Sequence, residues 1–519
     1  MKKLLFIPVL AALMLSCAEE ASELSFSASF TPETVSASGG TVAVTARWSN
    51  CRYRLSSDAE FVTLPDYRYV GAAGSSGENT LNVEFSANNS ESARTADFTF
   101  VPVEGDGAEA FAFSVVQQGI GPIVAKVTVN PSETYQTWEG FGAMNLGANW
   151  GSHIDWTDSD VDALMGSLGL NIMRIRIPYD ESDWKTVLDG CKYAYNNYGA
   201  VILATPWTMP AYMKTPGQLE ASKNDVTSSL NPSYYGEYAQ YLEKFAAYMK
   251  SGGVPLHAVS VQNEPDWPAT YEGCVWTAEE HLAFVRDYGH LVKSALLMTG
   301  ESMSFKHSFY DPVLKDETAL ANIDIVGGHL YGSKPQSYSL ASANGKPLWM
   351  TEHLLNDSWT GGTSHWAETM EMASEIHSCL VSGMNAYIWW YGKRYYSLIG
   401  DGNEGTASGA MLPRGRAYAQ FSAHIRPGDI RLGVVMEGTD GVLASAFKGG
   451  DGRITVVIVN TLSHAVSGME VSTGKAVASA SVSCTDESGT RNLSASIDSG
   501  AVSFDLPASS VATVDIKNK

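Results

Sequence analysis

Two glutamates stand at the ends of apolar, strand-like segments of the sequence. Glu264 closes the segment HAVSVQNE, and Glu352 closes the segment PLWMTE. Barrels of parallel strands present catalytic groups at the C-terminal ends of their strands. Two carboxylates about 5 Å apart on such a rim can hydrolyse a glycosidic bond with retention, one as acid and one as nucleophile. The pattern indicates retaining glycosidase chemistry, although either glutamate alone could cap a helix or pair with an arginine.

Other side chains suited to a sugar site follow the ends of further apolar segments. Arg174 and Arg176 lie two residues apart and therefore on one face of a strand. An unpaired guanidinium is too costly to bury, so we expect at least one of them to pair with the glutamates. Asn263 can hydrogen-bond a sugar 2-hydroxyl. The aromatic candidates for substrate contact are Trp207, Tyr331, Trp390, Tyr391 and Tyr396.

The segments that carry these residues alternate with amphipathic stretches. Helix-like spacing is clear in SYYGEYAQYLEKFAAYMKSGG and in TAEEHLAFVRDYGHLVKSALL. Eight strands with helices between them predict a (β/α)8 TIM barrel, with the active site on the C-terminal rim. The eight predicted strands are EGFGAMNLG, NIMRIRIP, AVILATPW, HAVSVQNE, MSFKHSFY, IDIVGGHLY, PLWMTE and AYIWWYG.

Short alternating strands precede and follow the barrel region. Segments such as TVAVTARW and FAFSVVQQG, separated by Ser/Gly/Asn turns, predict an all-β, Ig-like sandwich at 17–120. The barrel region is placed at 121–428, and strands such as RITVVIVN predict a second β-sandwich at 429–519. We expect the early strand AKVTVN to join this second sandwich, packed at the side of the barrel. The predicted fold is thus multidomain.

Composition narrows the classes of partner. At 519 residues the chain exceeds one ordinary domain, and its net charge of −22 argues against nucleic acid as a partner. The 13 Trp and 24 Tyr suit the stacking of sugar rings, although core packing explains most of them. The six cysteines are scattered, without CxxC or Cys/His spacing, so neither a metal nor another cofactor is expected. We expect a monomer.

The N-terminus predicts export. Residues 1–16 combine two lysines with a short apolar run, which is typical of a signal peptide rather than a membrane span. Cys17 follows directly, so the signal is of the lipoprotein type, with acylation of Cys17 after cleavage. The mature start CAEEAS resembles the export signal of surface lipoproteins in the Bacteroidetes. We therefore expect a lipid anchor in the outer membrane, at the cell surface.

From about residue 127 to its C-terminus the chain resembles glycoside hydrolase family 30. The resemblance implies that Glu264 is the acid/base and Glu352 the nucleophile. The stretch ending in VVQQG resembles the BACON domain, which could serve either as a spacer or as a glycan-binding module. The motifs that carry the family resemblance are QTWEGFGAMN, LNIMRIRIP, ATPWTMPAYMK, VQNEPDWPATYEGCVWT, GGHLYG, LWMTEH, IWWYGKRYY and HIRPGDIRLG.

Within the family, YEGCVWT, WMTEH and WWY are similar to subfamily 8, the glucuronoxylan endo-xylanases. The resemblance implies cleavage of β-1,4-xylan at a position set by a 4-O-methylglucuronic acid branch. Arg394 would bind the uronate, with Trp390, Tyr391 and Tyr396 around it, because a guanidinium fork matches a carboxylate. An ion pair with an acid on the rim would equally explain Arg394. The loop reads KRYYS rather than RRSYG, so branch recognition could be relaxed or altered.

Two other functions fit the same residues. One is another family 30 activity, such as an exo-xylanase, a β-glucosidase or a β-1,6-glucanase, which loops blocking the cleft would favour. The other is a surface glycan-binding protein with an inactive barrel. The presence of both Glu264 and Glu352 argues against a pure binding protein, which needs neither carboxylate.

Overall fold

The computed structural model describes residues 23–104, 108–146, 155–355, 365–498 and 500–519. The chain divides into two compact units, one ending at Pro122 and the other running from Ile123 to Lys519. Among the described helices, none is both long and apolar enough to span a membrane.

The N-terminal unit is a sandwich of a four-stranded and a five-stranded sheet. In strand Gly40–Ser49 every second residue, from Val42 to Ala46, is buried, which is the period of a strand with one face in a core. Phe98 and Phe100 of the other sheet share this core, which confirms the all-β prediction. The strands are Ser25–Thr31, Thr34–Val35, Gly40–Ser49, Arg52–Ser56, Val62–Thr63, Tyr69–Gly71, Ser76–Phe85, Arg94–Glu104 and Phe111–Gln117.

Eight parallel strands form the barrel of the second unit. They are β1 (Gly140–Asn145), β2 (Ile172–Ile177), β3 (Val201–Pro206), β4 (Ala258–Ser260), β5 (Leu296–Met298), β6 (Val326–His329), β7 (Leu348–Glu352) and β8 (Ala386–Trp389). Their order in the sheet is β5-β4-β3-β2-β1-β8-β7-β6. Bridges between Met298 and Ile325 and between Ser302 and Gly328 connect β5 to β6 and close the ring. The strands are nearly continuous apolar runs, as expected where both faces are covered. The predicted TIM barrel is confirmed.

The fifth strand differs from its prediction, and MSFKHSFY was the wrong segment. β5 lies earlier, in the run ALLM, because the preceding helix ends at Tyr288 rather than continuing through that run. Most of the predicted strand lies in the loop before helix His307–Lys315 and in its first turn. Phe309, Tyr310, Val313 and Leu314 recur there at helical spacing and are buried on one face.

Helices cover the outside of the barrel. Helix Trp184–Tyr198 ends at Gly199, whose φ of 61° gives the left-handed cap that glycine favours. Thr277 and Glu280 form a reciprocal capping box at the start of helix Ala278–Tyr288. The helices are Asp158–Val161, Trp184–Tyr198, Tyr235–Ser251, Ala278–Tyr288, His307–Lys315, Glu317–Asn322, Ser339–Ala343, Trp366–Val381 and Pro413–Ser422.

A ten-stranded sheet, the side domain, packs against two of these helices, Trp366–Val381 and Pro413–Ser422. Strands from both ends of the sheet share one core, so the sheet folds over on itself. Strand Ile454–Asn460 is buried on both faces: Val456 and Ile458 enter that core, whereas Val457 and Val459 pack into the barrel core. The strands are Ala125–Thr137, Ile430–Glu437, Val442–Lys448, Ile454–Asn460, Val466–Ser472, Val477–Asp486, Gly489–Asn492, Ser496–Asp498, Ala501–Leu506 and Ser510–Asn518.

The loop after β3 carries two short antiparallel ladders. Lys214–Thr215 pairs with Ser229–Leu230, and Ser222–Lys223 pairs with Val226–Thr227. This loop also bonds to the loop after β4, because the Nζ of Lys214 donates to the carbonyl oxygen of Gly273. The two loops are thereby joined beside the C-terminal rim.

Candidate active site

Glu264 and Glu352 meet at the C-terminal rim of the barrel. Glu352 is the last residue of β7, and Glu264 lies four residues after the end of β4. One carboxylate oxygen of each, and a ring nitrogen of His329, lie within 4.8 Å of one another. Both carboxylates are buried except for a small fraction that faces a cavity. The barrel thus brings together two groups that are 88 residues apart in sequence.

The backbone at Glu264 adopts an uncommon conformation that its neighbours fix. Its φ is 45°, in the left-handed region that residues other than glycine seldom occupy. The N–H of Glu264 donates to the carbonyl oxygen of Glu301 at 2.9 Å, and Asn263 bridges to the same residue. Such strain persists where the surrounding structure determines the backbone, which is frequent at functional sites.

Arg174 of β2 holds the two sides of the cluster together. Its fully buried guanidinium donates to Oε2 of Glu352 at 2.5 Å and to Oδ1 of Asn263 at 2.8 Å. A third carboxylate, that of Glu301, lies 3.2 Å away. Burial alone would lower the pKa of Arg174, but the charges of Glu301 and Glu352 outweigh it and raise that pKa. Arg174 is therefore a permanent cation beneath the glutamates.

His329 at the end of β6 is a second buried cation. Its Nδ1 lies 3.2 Å from Oε1 of Glu264, and its Nε2 lies 3.8 Å from both Glu301 and Glu352. Burial lowers the pKa of His329, but the charge of Glu352 and the bonds to Glu264 and Glu301 raise it to about 9. The imidazole is thus protonated at neutral pH, and both ring nitrogens are donors.

Glu301 is the counter-charge for both cations. Its burial would raise its pKa, but Arg174 and His329 lower it to about 2, so Glu301 stays ionised. Two cations, Arg174 and His329, therefore face two carboxylates, Glu301 and Glu352.

Two tyrosines donate hydrogen bonds to Glu264 and Glu352. The hydroxyl of Tyr331 donates to Oε1 of Glu352 at 2.8 Å, and that of Tyr271 donates to Oε2 of Glu264 at 3.0 Å. Burial and the neighbouring carboxylates raise the pKa of both tyrosines, so both remain protonated donors. Each glutamate consequently keeps one oxygen oriented by a phenol.

A cavity of about 490 Å³ opens above the pair. Its walls are mostly aromatic. The ring centroids of Trp207 and Trp390 lie 6.0 Å apart. Trp267 and Tyr271 stand on its edge, 44% and 43% exposed, where further sugar units could stack. Such a cavity, apolar with a few convergent polar groups, is typical of ligand sites. It is lined by Trp207, Asn263, Glu264, Trp267, Tyr271, Met303, Tyr331, Glu352, Trp390 and Tyr391.

The cluster is poorly suited to a metal ion. Glu264, His329 and Glu352 could each offer one ligand atom. However, Arg174 already bonds to Glu352 and would repel a divalent cation. A metal also needs a neutral imidazole, whereas His329 has a pKa of about 9.

Three predicted site residues lie away from the cavity lining. Arg176 bonds to Glu272 at 2.7 Å rather than to Glu264 or Glu352. Tyr396 packs in an apolar cluster behind Trp207 and Tyr391. The other predicted residues line the cavity or, like Arg174, lie directly beneath it. Cys17 lies outside the described residues.

Arg394 is the third of these residues. Its guanidinium stacks over the Tyr395 ring at 5.4 Å and lies 3.7 Å from the carboxylate of Asp401. That separation is too long for a hydrogen bond. The rim acid considered as an alternative partner is therefore present, but it holds Arg394 loosely.

Glu301 and Tyr271 are site residues that the sequence analysis missed. Glu301 follows the run ALLM much as Glu264 follows its own strand, and the wrong assignment of β5 concealed it. Tyr271 lies in a loop, seven residues after Glu264, where no periodicity predicts its direction. His329 lies within the predicted strand IDIVGGHLY, but its contacts across the barrel could not be predicted.

The chain is similar to characterised sugar hydrolases. Residues 168–390 match the glycosyl hydrolase family 30 TIM-barrel domain. Glucuronoxylanase XynC of Bacillus subtilis (strain 168) is 34% identical over 365 residues, covering 67% of this chain and 82% of that protein. The family 30 subfamily 8 xylanase Xyn30A from Clostridium acetobutylicum superposes with a TM-score of 0.68 and 31% identity, over 76% of this chain and 99% of that one. A GH30 endoxylanase from Clostridium papyrosolvens C71 superposes with a TM-score of 0.66 and 32% identity, over 76% of this chain and 100% of that one.

Proposed function

This chain belongs to glycoside hydrolase family 30, and on that premise we propose that it is a retaining endo-β-1,4-xylanase acting on glucuronoxylan. The observation that carries the proposal is the approach of Glu264 and Glu352, within 4.8 Å, at the floor of an aromatic cavity. Retaining enzymes hold the two carboxyl groups about 5–5.5 Å apart, and inverting enzymes about 6.5–9.5 Å. The geometry favours retention.

Hydrolysis then proceeds through two displacements. A carboxylate oxygen of Glu352 attacks the anomeric carbon while Glu264 donates its proton to the departing glycosidic oxygen, giving a covalent glycosyl-enzyme. Glu264, now a carboxylate, takes a proton from a water molecule that attacks the same carbon and releases Glu352. At the end of the cycle Glu264 again carries its proton, and Glu352 is again a free carboxylate.

The neighbours of the two glutamates support these roles. Arg174 and Tyr331 together engage both oxygens of Glu352, which fixes its orientation. Asn263, held by Arg174, lines the cavity where a sugar 2-hydroxyl would lie. On the other side, Tyr271 and His329 contact separate oxygens of Glu264.

Branch recognition is assigned to Arg394. It lies three residues beyond Tyr391 of the cavity wall, and the relative from Bacillus subtilis is named a glucuronoxylanase. Its side chain is 18% exposed, and the carboxylate of Asp401 lies beyond hydrogen-bonding distance of its guanidinium. A uronate carboxylate could satisfy these donors in the bidentate manner that arginine favours.

The test compares products from glucuronoxylan and from debranched linear xylan by mass spectrometry. The wild type is expected to release products that each carry one methylglucuronic acid and to attack linear xylan weakly. Arg394→Ala is expected to lower kcat/KM on glucuronoxylan by about 10- to 100-fold, the worth of a hydrogen bond to a charged group. On linear xylan the same variant should lose less than about threefold.

Arg394→Lys and Asp401→Asn are the matched controls. Lysine keeps the positive charge but lacks the bidentate geometry of a guanidinium, so Arg394→Lys should recover only part of the kcat/KM lost on glucuronoxylan. Asp401→Asn leaves Arg394 in place and should keep the preference for branched xylan. Equal losses by Arg394→Ala on both substrates would show that Arg394 only supports the rim, and release of short unbranched units alone would indicate an exo-acting enzyme.

We also propose that the chain is exported as a lipoprotein, with the all-β N-terminal unit as a BACON-like module between anchor and barrel. Support comes from the sequence of residues 1–16, the cysteine at position 17 and the acidic residues after it. Cys17→Ala is expected to remove the protein from the membrane fraction of cells that process lipoproteins. Unchanged membrane association of that variant would contradict a lipid anchor.

A further inference from the structure

A second cavity, of about 890 Å³, lies in the side domain. Helix Trp366–Val381 forms one wall, and strands Ala125–Thr137, Ile430–Glu437 and Val442–Lys448 form the others. That helix runs back from the rim that holds Glu352, and the cavity contacts its final turns. At 1.5 Å per residue this places the cavity roughly 15–20 Å below the catalytic rim, on the outer side of the barrel.

A fixed aromatic ring stands at the mouth of the cavity. Tyr135 is 46% exposed, and the guanidinium of Arg431 lies 3.7 Å from its ring centre. Arg431 is held in turn by Gln136, at 2.9 Å, while the hydroxyl of Tyr135 donates to Glu133. A ring fixed in this way can receive the apolar face of a sugar without first losing side-chain freedom.

The charge of the lining selects among ligands. The lining carries three carboxylates, Glu133, Glu437 and Asp440, and one guanidinium, that of Arg431. Burial and the nearby Arg431 lower the pKa of His377 to about 4, so its ring is neutral at pH 7. An acidic sugar would be repelled, whereas an uncharged polyol finds both donors and acceptors.

We propose that this cavity is a second glycan-binding site for uncharged segments of the polysaccharide, here the undecorated β-1,4-xylose backbone. The choice of xylose as the bound sugar rests on the proposed function, whereas the existence of a binding site is inferred from the cavity and its lining. Binding a bare stretch of chain would keep the polymer attached while the catalytic cavity meets successive branches. The two sites then select for different parts of the same substrate.

The test is calorimetric titration of xylohexaose into the full-length Glu352→Gln protein. Two bound molecules per chain are expected, falling to one when Tyr135→Ala is added. Tyr198→Ala, at a tyrosine 38% exposed on helix Trp184–Tyr198, is the control and should change neither site.

The outcomes separate the two hypotheses. One site that disappears with Tyr135→Ala supports the side-domain site and contradicts xylan as the substrate of the catalytic cavity. Any stoichiometry that Tyr135→Ala does not alter overturns the side-domain site and leaves the proposed hydrolysis intact. No binding of xylohexaose at all overturns the side-domain site as a xylose-backbone site. Titration with a methylglucuronic acid-branched xylotetraose should fill the catalytic cavity alone, and equal binding at both sites would contradict the charge argument.

Discussion

Glu352→Gln is expected to lower kcat on glucuronoxylan by at least about 10⁴-fold, because a neutral amide cannot attack the anomeric carbon. Such a loss corresponds to about 5.5 kcal/mol of transition-state stabilisation. Glu264→Gln should cause a similar loss on xylan. It should be much less harmful for aryl xylosides, whose leaving groups need little protonation. Steady-state rates on both substrate types measure this difference.

Azide separates the two roles by stereochemistry. In Glu352→Ala, azide can enter the vacated space and displace the leaving group once, giving a glycosyl azide of inverted configuration. In Glu264→Ala the glycosyl-enzyme still forms from an aryl xyloside, and azide then attacks it, giving the retained configuration. NMR of the products assigns each role. Exchanged configurations would reverse the assignment, and absence of rescue in both variants would contradict it.

Glu272→Gln is the matched control for these substitutions. Glu272 is a carboxylate of the same loop as Tyr271, but it pairs with Arg176 and lies outside the cavity lining. Its substitution should change kcat by less than about threefold, the level of an uninvolved hydrogen bond. A loss comparable to that of Glu264→Gln would mean that the loop itself, rather than the acid, limits the rate.

The sequence predicts the barrel because nearly every strand is an apolar run that ends sharply at polar residues. Those ends coincide with the rim, so the strand pattern alone was enough to place Glu264 and Glu352 beside each other. The prediction failed at β5, where only Leu296–Met298 is strand. Three apolar residues directly after a helix-like stretch carry too little periodic signal to be separated from it.

Contacts across the barrel could not be predicted from the sequence. Arg174 and Arg176 share one face of β2, yet Arg174 meets Glu301 and Glu352 whereas Arg176 meets Glu272. Two residues along a strand are almost 7 Å apart, so the side chains lie at different depths of the barrel. The alternation of residues along a strand predicts the face to which a side chain points. The residue that it contacts depends on which side chains the other strands place at the same depth of the barrel.

Arg174→Met is expected to lower the free energy of unfolding by about 3–5 kcal/mol, because it leaves buried carboxylates without their cation. It should also lower kcat by about 10²-fold, since Glu352 and Asn263 both lose the guanidinium that positions them. Arg176→Met, two residues further on, is the control. Water reaches its partner Glu272, so we expect a loss of about 1–2 kcal/mol. Urea unfolding followed by tryptophan fluorescence measures both.

The pH dependence identifies the cause of the loss. In the wild type the pKa of Glu301 is lowered to about 2, so its stabilising contribution is present above its ordinary pKa, near 4.5, and disappears as the pH falls towards 2. Without Arg174 the buried Glu301 charge is destabilising at neutral pH, and protonation relieves it. The stability deficit of Arg174→Met should therefore shrink as the pH falls through about 4.5 towards 2. A deficit that is equal at pH 7 and pH 3 would indicate lost packing instead.

The double variant Arg174→Met/Glu301→Gln separates stability from catalysis. Removing both charges of a buried pair is far less destabilising than removing one, so much of the free energy of unfolding should return. The loss in kcat should remain, because Glu352 and Asn263 still lack their donor. Recovery of kcat together with stability would show that Arg174 acts through folding alone. If the double variant recovers the free energy of unfolding but not kcat, Arg174 is established as the residue that positions the nucleophile.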